Sequence, residues 1–316
     1  METHKNAKSL LAVFRLVMAE HAEKDKDFVL FITEAAEVYG GFDDLPSDKV
    51  VFTHAPASVS LLRAAGSALA GKQPWLLGKT AEIAASGYSQ IREAIAIPKL
   101  PVRIAALNGG VSTEQESTAE QLLEDIAIMR TLPGMKIFVP ADDVSLRGIT
   151  DAADKISEPL YLRLGTTPYS TPRDLNKEEF HAGGARILRE GTGVTICACG
   201  IMVGQALKAA EMLEEQNISA EVVDCYSVKP FPERVMLSSV RRTGCCVTAE
   251  EAGEIGGLFG AAAECLGRTY PVPMRSVALD DRFVNSGTPD ELREFYGLTC
   301  KEIVDASAQV WALRRR

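Results

Sequence analysis

Residues 50–77 read Val50-Val-Phe-Thr-His-Ala-Pro-Ala-Ser-Val-Ser-Leu-Leu-Arg-Ala-Ala-Gly-Ser-Ala-Leu-Ala-Gly-Lys-Gln-Pro-Trp-Leu-Leu77, and their reading decides the fold. Val50 to Phe52 is β-branched and aromatic, the composition of a strand. Ser58 to Ala70 carries a helical pattern and is closed by Gly71. Trp75 to Leu77 is a second short apolar strand. Strand, helix and strand in so short a stretch predict parallel strands with a helix across them.

The same alternation extends in both directions. Upstream, Ala7 to His21 bears a stripe at Leu10, Leu11, Phe14, Val17 and Met18, and Phe28 to Ile32 is an apolar run suited to a buried parallel strand. Downstream, helices are expected at Ala81–Ala94, Gln121–Thr131 and Ser145–Ile156, and strands at Val102–Leu107, Lys136–Val139 and Leu160–Leu164. Gly165 to Ala182 is polar, contains Pro168 and Pro172, and has no period, so it reads as a connection. A second α/β unit follows, with strands at Val194–Ala198, Ala220–Asp224, Cys245–Thr248 and Met274–Val277. Its helices are expected at Val203–Gln216, at Pro232–Val240 and after Gly256-Gly257. The expected fold class is α/β, with two α/β/α domains: residues 1–165, a linker at 166–190, and residues 191–316. Ligands of open α/β sheets bind beyond the carboxyl ends of strands, which points to the loops after Phe52, Leu77, Leu107 and Leu164.

Composition narrows the function. The chain has 316 residues, 46% hydrophobic and 24% charged, the balance of a globular protein with a full core. A net charge of -9 argues against nucleic acid or a membrane surface as partner. No apolar run approaches the roughly 20 residues of a membrane span. The seven cysteines form no C-x-x-C pair and have no histidine at metal-ligand spacing. They read as buried thiols in a reducing cytoplasm, with no metal site expected.

Several segments carry a family likeness. They are Ala64-Ala-Gly-Ser-Ala-Leu-Ala-Gly71, Tyr88-Ser-Gln-Ile-Arg92, Leu123-Glu-Asp-Ile-Ala-Ile-Met-Arg130, Leu132-Pro-Gly-Met135, Val139-Pro-Ala-Asp142, Thr248-Ala-Glu-Glu251 with Gly256-Gly257, and Asp281-Arg-Phe283 with Ser286-Gly-Thr-Pro289. In this order the chain resembles the C-terminal half of the transketolase and deoxyxylulose-phosphate synthase family, made as a split subunit. The resemblance implies a thiamine-diphosphate pyrimidine-binding domain followed by a transketolase C-terminal domain. It also implies a separate N-terminal-half subunit as partner, with self-association or pairing with a paralogous half. Thiamine diphosphate with Mg2+ is then expected only in the complex with that N-terminal half.

The resemblance also exposes losses. The family activates its cofactor with a carboxylate from a Gly-Ile-Ala-Glu-Gln motif, and that glutamate position falls here on Ala57, within His54-Ala-Pro-Ala-Ser58. His54 and Glu82 are the side chains left to reach the same place. The aromatic platform for the pyrimidine falls on Leu77, Gly78, Lys79 and Glu82, putting Lys79 and Glu82 at the pocket positions. At i, i+3 those two also suit a plain ion pair on a solvated helix start. In the substrate loop, Glu116 and Glu120 stand for the aspartate and histidine, and Asn108 replaces the earlier histidine. Thr166 stands where an arginine would clamp a phosphate, and Ala252 where a third histidine would be. No residue is therefore assigned a catalytic role.

The expected function is a C-terminal-half subunit of a transketolase-like heteromer, as a non-catalytic or weakly catalytic partner. Two alternatives stay open. One is an active ketol or aldehyde transferase that works with its N-terminal half without the usual Glu. The other is a binding protein for a different small ligand, using the pocket around Lys79, Glu116 and Glu120.

Overall fold

A computed structural model describes residues 9–111, 118–165 and 179–314. The first part runs α1 (Leu10–Lys24), β1 (Phe28–Ile32), α2 (Glu34–Glu37), β2 (Val50–Phe52), α3 (Ala57–Leu69) and β3 (Gln73–Lys79). It continues through α4 (Tyr88–Gln90), β4 (Arg103–Leu107), α5 (Asp125–Thr131), β5 (Lys136–Phe138), α6 (Asp143–Ala153) and β6 (Leu160–Leu164). The second part runs β7 (Arg186–Arg189), β8 (Val194–Ala198), α7 (Met202–Glu215), β9 (Ala220–Asp224), β10 (Ser227–Lys229), α8 (Glu233–Thr243) and β11 (Cys246–Gly253). It ends with α9 (Leu258–Thr269), β12 (Met274–Leu279), α10 (Pro289–Phe295) and α11 (Cys300–Leu313). None of the described helices is long and apolar enough to cross a membrane.

The strands form two sheets, ordered β10-β5-β6-β4-β3-β1-β2 and β12-β11-β8-β9-β7. All the described pairs are parallel except β10 with β5 and β7 with β9. The apolar runs read from sequence become strands buried on both faces: every residue of β4, β6 and β8 is buried. Each sheet is covered by helices, so continuous hydrophobic strands and amphipathic helices satisfy one another.

Several expectations are corrected. The helix expected at Ala81–Ala94 is instead two π-helical turns, Ala81–Ser86 and Ile91–Ala96, around α4. Their i→i+5 bonds run from the Gly87 N–H to the Glu82 carbonyl and from the Ile97 N–H to the Arg92 carbonyl. The helix expected from Gln121 begins only at Asp125, because Leu122 and Leu123 belong to a loop clasped by Gly110 and Gly253. The stretch 166–190 contains β7, which pairs with β9 of the second sheet.

The two halves are interlocked. β10 leaves the second part and adds an antiparallel strand to the first sheet, and Lys229 Nζ donates to the carbonyls of Arg130 at 2.7 Å and Leu132 at 2.5 Å. Between the halves, the buried Arg186 donates to Asp224 Oδ2 at 2.8 and 2.7 Å and to both Asp142 oxygens at 3.1 and 3.0 Å. Asp142 also caps α6 through the Ser145 N–H at 2.7 Å, so one carboxylate ties a helix start to the domain junction.

Candidate functional site

The carboxyl ends of β1 to β4 gather around the loop that enters α3. Thr53, just past β2, is pinned from three sides. Its hydroxyl donates to the Ile32 carbonyl at 2.9 Å and accepts from Ser60 at 2.8 Å, and its carbonyl accepts from Arg63 at 3.0 Å. His54 follows in left-handed backbone, φ 42°, a conformation that costs a non-glycine residue roughly 1–2 kcal/mol. Glu37 holds it there: the backbone N–H of His54 donates to Oε1 at 3.3 Å, and Nδ1 lies 3.1 Å from Oε2. Pro56 then stands at the N-cap in extended backbone, without a side-chain cap, and Ala57 opens the helix. The Ala57 side chain is 1% exposed and packs in one apolar cluster with Leu61 and Ile83.

The other expected positions surround this loop. Lys79 ends β3, with Nζ 3.6 Å from Glu120 Oε1. Glu82 accepts a hydrogen bond from the buried Thr33 hydroxyl at 3.0 Å. Asn108 sits just past β4 in left-handed backbone, φ 60°, buried, with Nδ2 donating to the Tyr39 hydroxyl at 2.7 Å. Among the described residues its Oδ1 has no partner, nor has either amide atom of the buried Gln121. Ala252 lies buried in β11. Glu116 and Thr166 lie outside the described residues. The structure thus gathers Ala57, Lys79, Glu82, Asn108 and Glu120 at one end of one sheet. The charged groups there are engaged with neighbours: Lys79 with Glu120, Glu82 with Thr33, Glu37 with His54.

Sequence reasoning missed a second polar group under the same strand ends. Asp125 opens α5, with Arg163 Nε 3.0 Å from its Oδ2 and the Tyr161 hydroxyl donating to Oδ2 at 2.9 Å. Burial raises the Asp125 carboxyl above the usual range, against the opposing pull of Arg163 and Tyr161. Arg163 also donates to the Glu251 carbonyl at 2.9 Å. The available signal was a charged residue inside an otherwise apolar strand, which requires a buried partner. Next to it Glu250 takes the N–H of Leu258 at 2.6 Å and of Phe259 at 2.8 Å, a side-chain cap on α9. Burial pushes that carboxyl up to about 7, against those two N–H groups and the more distant Arg163 and Arg130. The cavity between the halves at this point, lined by Gly109, Arg163, Gly200 and Glu251 among others, is about 20 Å³, room for one water molecule.

Comparison with known proteins assigns the two halves. The family described as transketolase, pyrimidine binding domain, matches residues 62–170, and the transketolase C-terminal domain matches residues 183–303. The 6-deoxy-6-sulfo-D-fructose transketolase subunit of Clostridium sp. (strain MSTE9) is 39% identical over 297 residues, 93% of this chain and 92% of that one. An apulose-4-phosphate transketolase subunit of Phocaeicola vulgatus is 32% identical over 288 residues, 90% of this chain and 92% of that one. Among solved structures, one described as a split gene transketolase, inactive beta4 tetramer, superposes with a TM-score of 0.91 at 34% identity, covering 98% of this chain and all of that one.

Proposed function

We propose a role for a chain that belongs to the transketolase family and carries its pyrimidine-binding and C-terminal domains: it is the C-terminal-half subunit of a split, heteromeric complex, and a non-catalytic or weakly catalytic partner within it. In this reading the pyrimidine-binding part ends at residue 165 and the C-terminal part begins at 191, with β7 drawn into the second sheet from between them. The complementary half carries the diphosphate end of the cofactor site, and the cytoplasm is the compartment that suits the free thiols. Two relatives are subunits of transketolases and a third is a tetramer of β chains, which supports both hetero- and self-association.

One observation carries the reading. At the place of the family's cofactor-activating glutamate stands Ala57, a methyl group buried in the apolar core. Bound thiamine diphosphate would supply a nucleophilic carbon able to attack a ketose carbonyl. The residues here do not fit its activation. Ala57 offers no acid to the aminopyrimidine, and charged Lys79 and Glu82 occupy positions where an aromatic platform would be needed. No catalytic step is therefore derived through it. What this chain supplies is shape: a rigid loop at 53–57, a helix start, and strand ends whose charged groups are already engaged.

A second reading, an active transferase subunit without the usual glutamate, is favoured by the carboxylates of Glu37 and Glu82, which remain around the same strand ends. Calorimetry of thiamine diphosphate and Mg2+ against the chain, and against its complex with an N-terminal half, separates the two. We expect no saturable binding to the chain alone and no ketol transfer by the reconstituted complex. Turnover in a complex built only from this chain and that half would overturn the non-catalytic reading.

A further inference from the structure

Helix α8 carries a patch of positive charge on an otherwise acidic molecule. Its exposed residues Arg234, Ser238, Arg241 and Arg242, with the half-buried Leu237, line an open depression of about 550 Å³. The chain as a whole has a net charge of -9, so this grouping of arginines runs against the field around it. Part of the patch has a plain use. Arg241 and Arg242 stand in the last turn of α8, where the helix dipole favours cations. Arg242 is also engaged with the buried Glu221 and donates to the Gly191 carbonyl at 3.2 Å.

Arg234 has no such use. It stands in the first turn, at the end of the helix where the dipole disfavours a cation. The neighbouring Glu233 lies 3.8 Å from Arg268 instead. Arg241 is turned over the Tyr270 ring, 5.9 Å from its centroid. Among the described residues no carboxylate is within ion-pair distance of Arg234 or Arg241. Spacing brings the two together. Ser238 follows Arg234 by four residues and precedes Arg241 by three, so it neighbours both on the helix surface. The two arginines are about 10 Å apart along the axis, a gap that two such long side chains can close from either side.

We infer that this face binds a phosphate monoester of a small metabolite. The phosphate sits over Ser238 between Arg234 and Arg241, and the carbon skeleton lies in the depression beside Leu237. The guanidinium fork matches two oxygens of a phosphate, and the serine hydroxyl donates to a third. A helix cation left without a carboxylate, at the disfavoured end, is then accounted for by the charge it receives. Thiamine diphosphate is a different case, since its thiazolium and its bound Mg2+ leave little net negative charge for this patch to attract. The inference goes beyond the split-subunit reading and needs no N-terminal half, so either can fail without the other.

The test is calorimetric titration of the full chain at low ionic strength with glycerol 3-phosphate, inorganic phosphate and glycerol. Glycerol 3-phosphate is expected to bind saturably at one site per chain and more tightly than inorganic phosphate, and glycerol not to bind. Raised salt is expected to weaken the binding, because both arginines are exposed. Arg234→Gln and Arg241→Gln are each expected to weaken it about tenfold, with an unchanged circular dichroism spectrum. Arg275→Gln, which removes an exposed arginine on β12, is expected to change it less than twofold. Absence of saturable binding overturns the inference, as does undiminished binding in both α8 variants. Equal weakening by Arg275→Gln overturns it too, since a general field and not a site would then be at work. Inorganic phosphate binding as tightly as the monoester would overturn the assignment of a phosphorylated metabolite.

Discussion

Glu250 makes the stability of this protein depend on pH in a calculable way. The carboxyl is fully buried, caps α9 through two backbone N–H groups, and is pushed by burial up to about 7 from an ordinary 4.5. Its folded value lies above its unfolded value. The native state therefore holds the proton more tightly, and stability contributed by the protonated form is present below pH 4.5 and lost as pH rises toward 7. Integrating the two titration curves between pH 5 and pH 8 gives a loss of about 2.5 kcal/mol from this one group. Glu250→Gln removes the titration and keeps the shape, though its amide NH2 cannot accept one of the two helix N–H groups. The assay is urea unfolding of both proteins at pH 5, 6, 7 and 8. Other titrating groups cancel in the difference, so the variant should gain about 2.5 kcal/mol on the parent across that range, most of it below pH 7. Parallel profiles would refute the reasoning, since they would mean that Glu250 is as well solvated folded as unfolded.

Three further outcomes follow from the geometry. Arg186→Met leaves Asp142 and Asp224 without their shared guanidinium in a buried junction, and chemical denaturation should show a loss of about 3–5 kcal/mol. Gln121→Leu removes two buried amide atoms that have no partner among the described residues, so thermal unfolding should show a neutral or stabilising change of up to about 1 kcal/mol, against the usual cost of a buried substitution. Ala57→Glu inserts a carboxylate into the apolar cluster that holds Leu61 and Ile83, at the position proposed for the activating acid. The lone chain should lose about 2 kcal/mol or more in urea, with thiamine diphosphate in the complex recovering part of it only if the pocket re-forms.

Contacts at the candidate site divide by range. The candidate positions were legible through the family resemblance, because a motif is a local pattern: Ala57, Lys79, Glu82 and Asn108 are the residues that the resemblance sets at its pocket positions. Their partners were not. Glu37 reaches His54 across β1 and β2, Glu120 reaches Lys79 from another loop, and Asp125 meets Arg163 through the packing of α5 under β6. An apolar period tells which face of an element is buried and is silent on what lies opposite.

The sequence by itself determined the fold class and the order of most strands and helices. Those depend on residue type and on periods of two and 3.6 that act within one element. Only the tertiary structure decided that β10 crosses into the first sheet, that residues 81–96 widen into π-helical turns, that Ala57 is sealed in the core, and that the outer face of α3 stands exposed. Each of these is set by which surfaces meet after the chain has closed on itself, where packing and hydrogen-bond satisfaction between distant residues outweigh local preference.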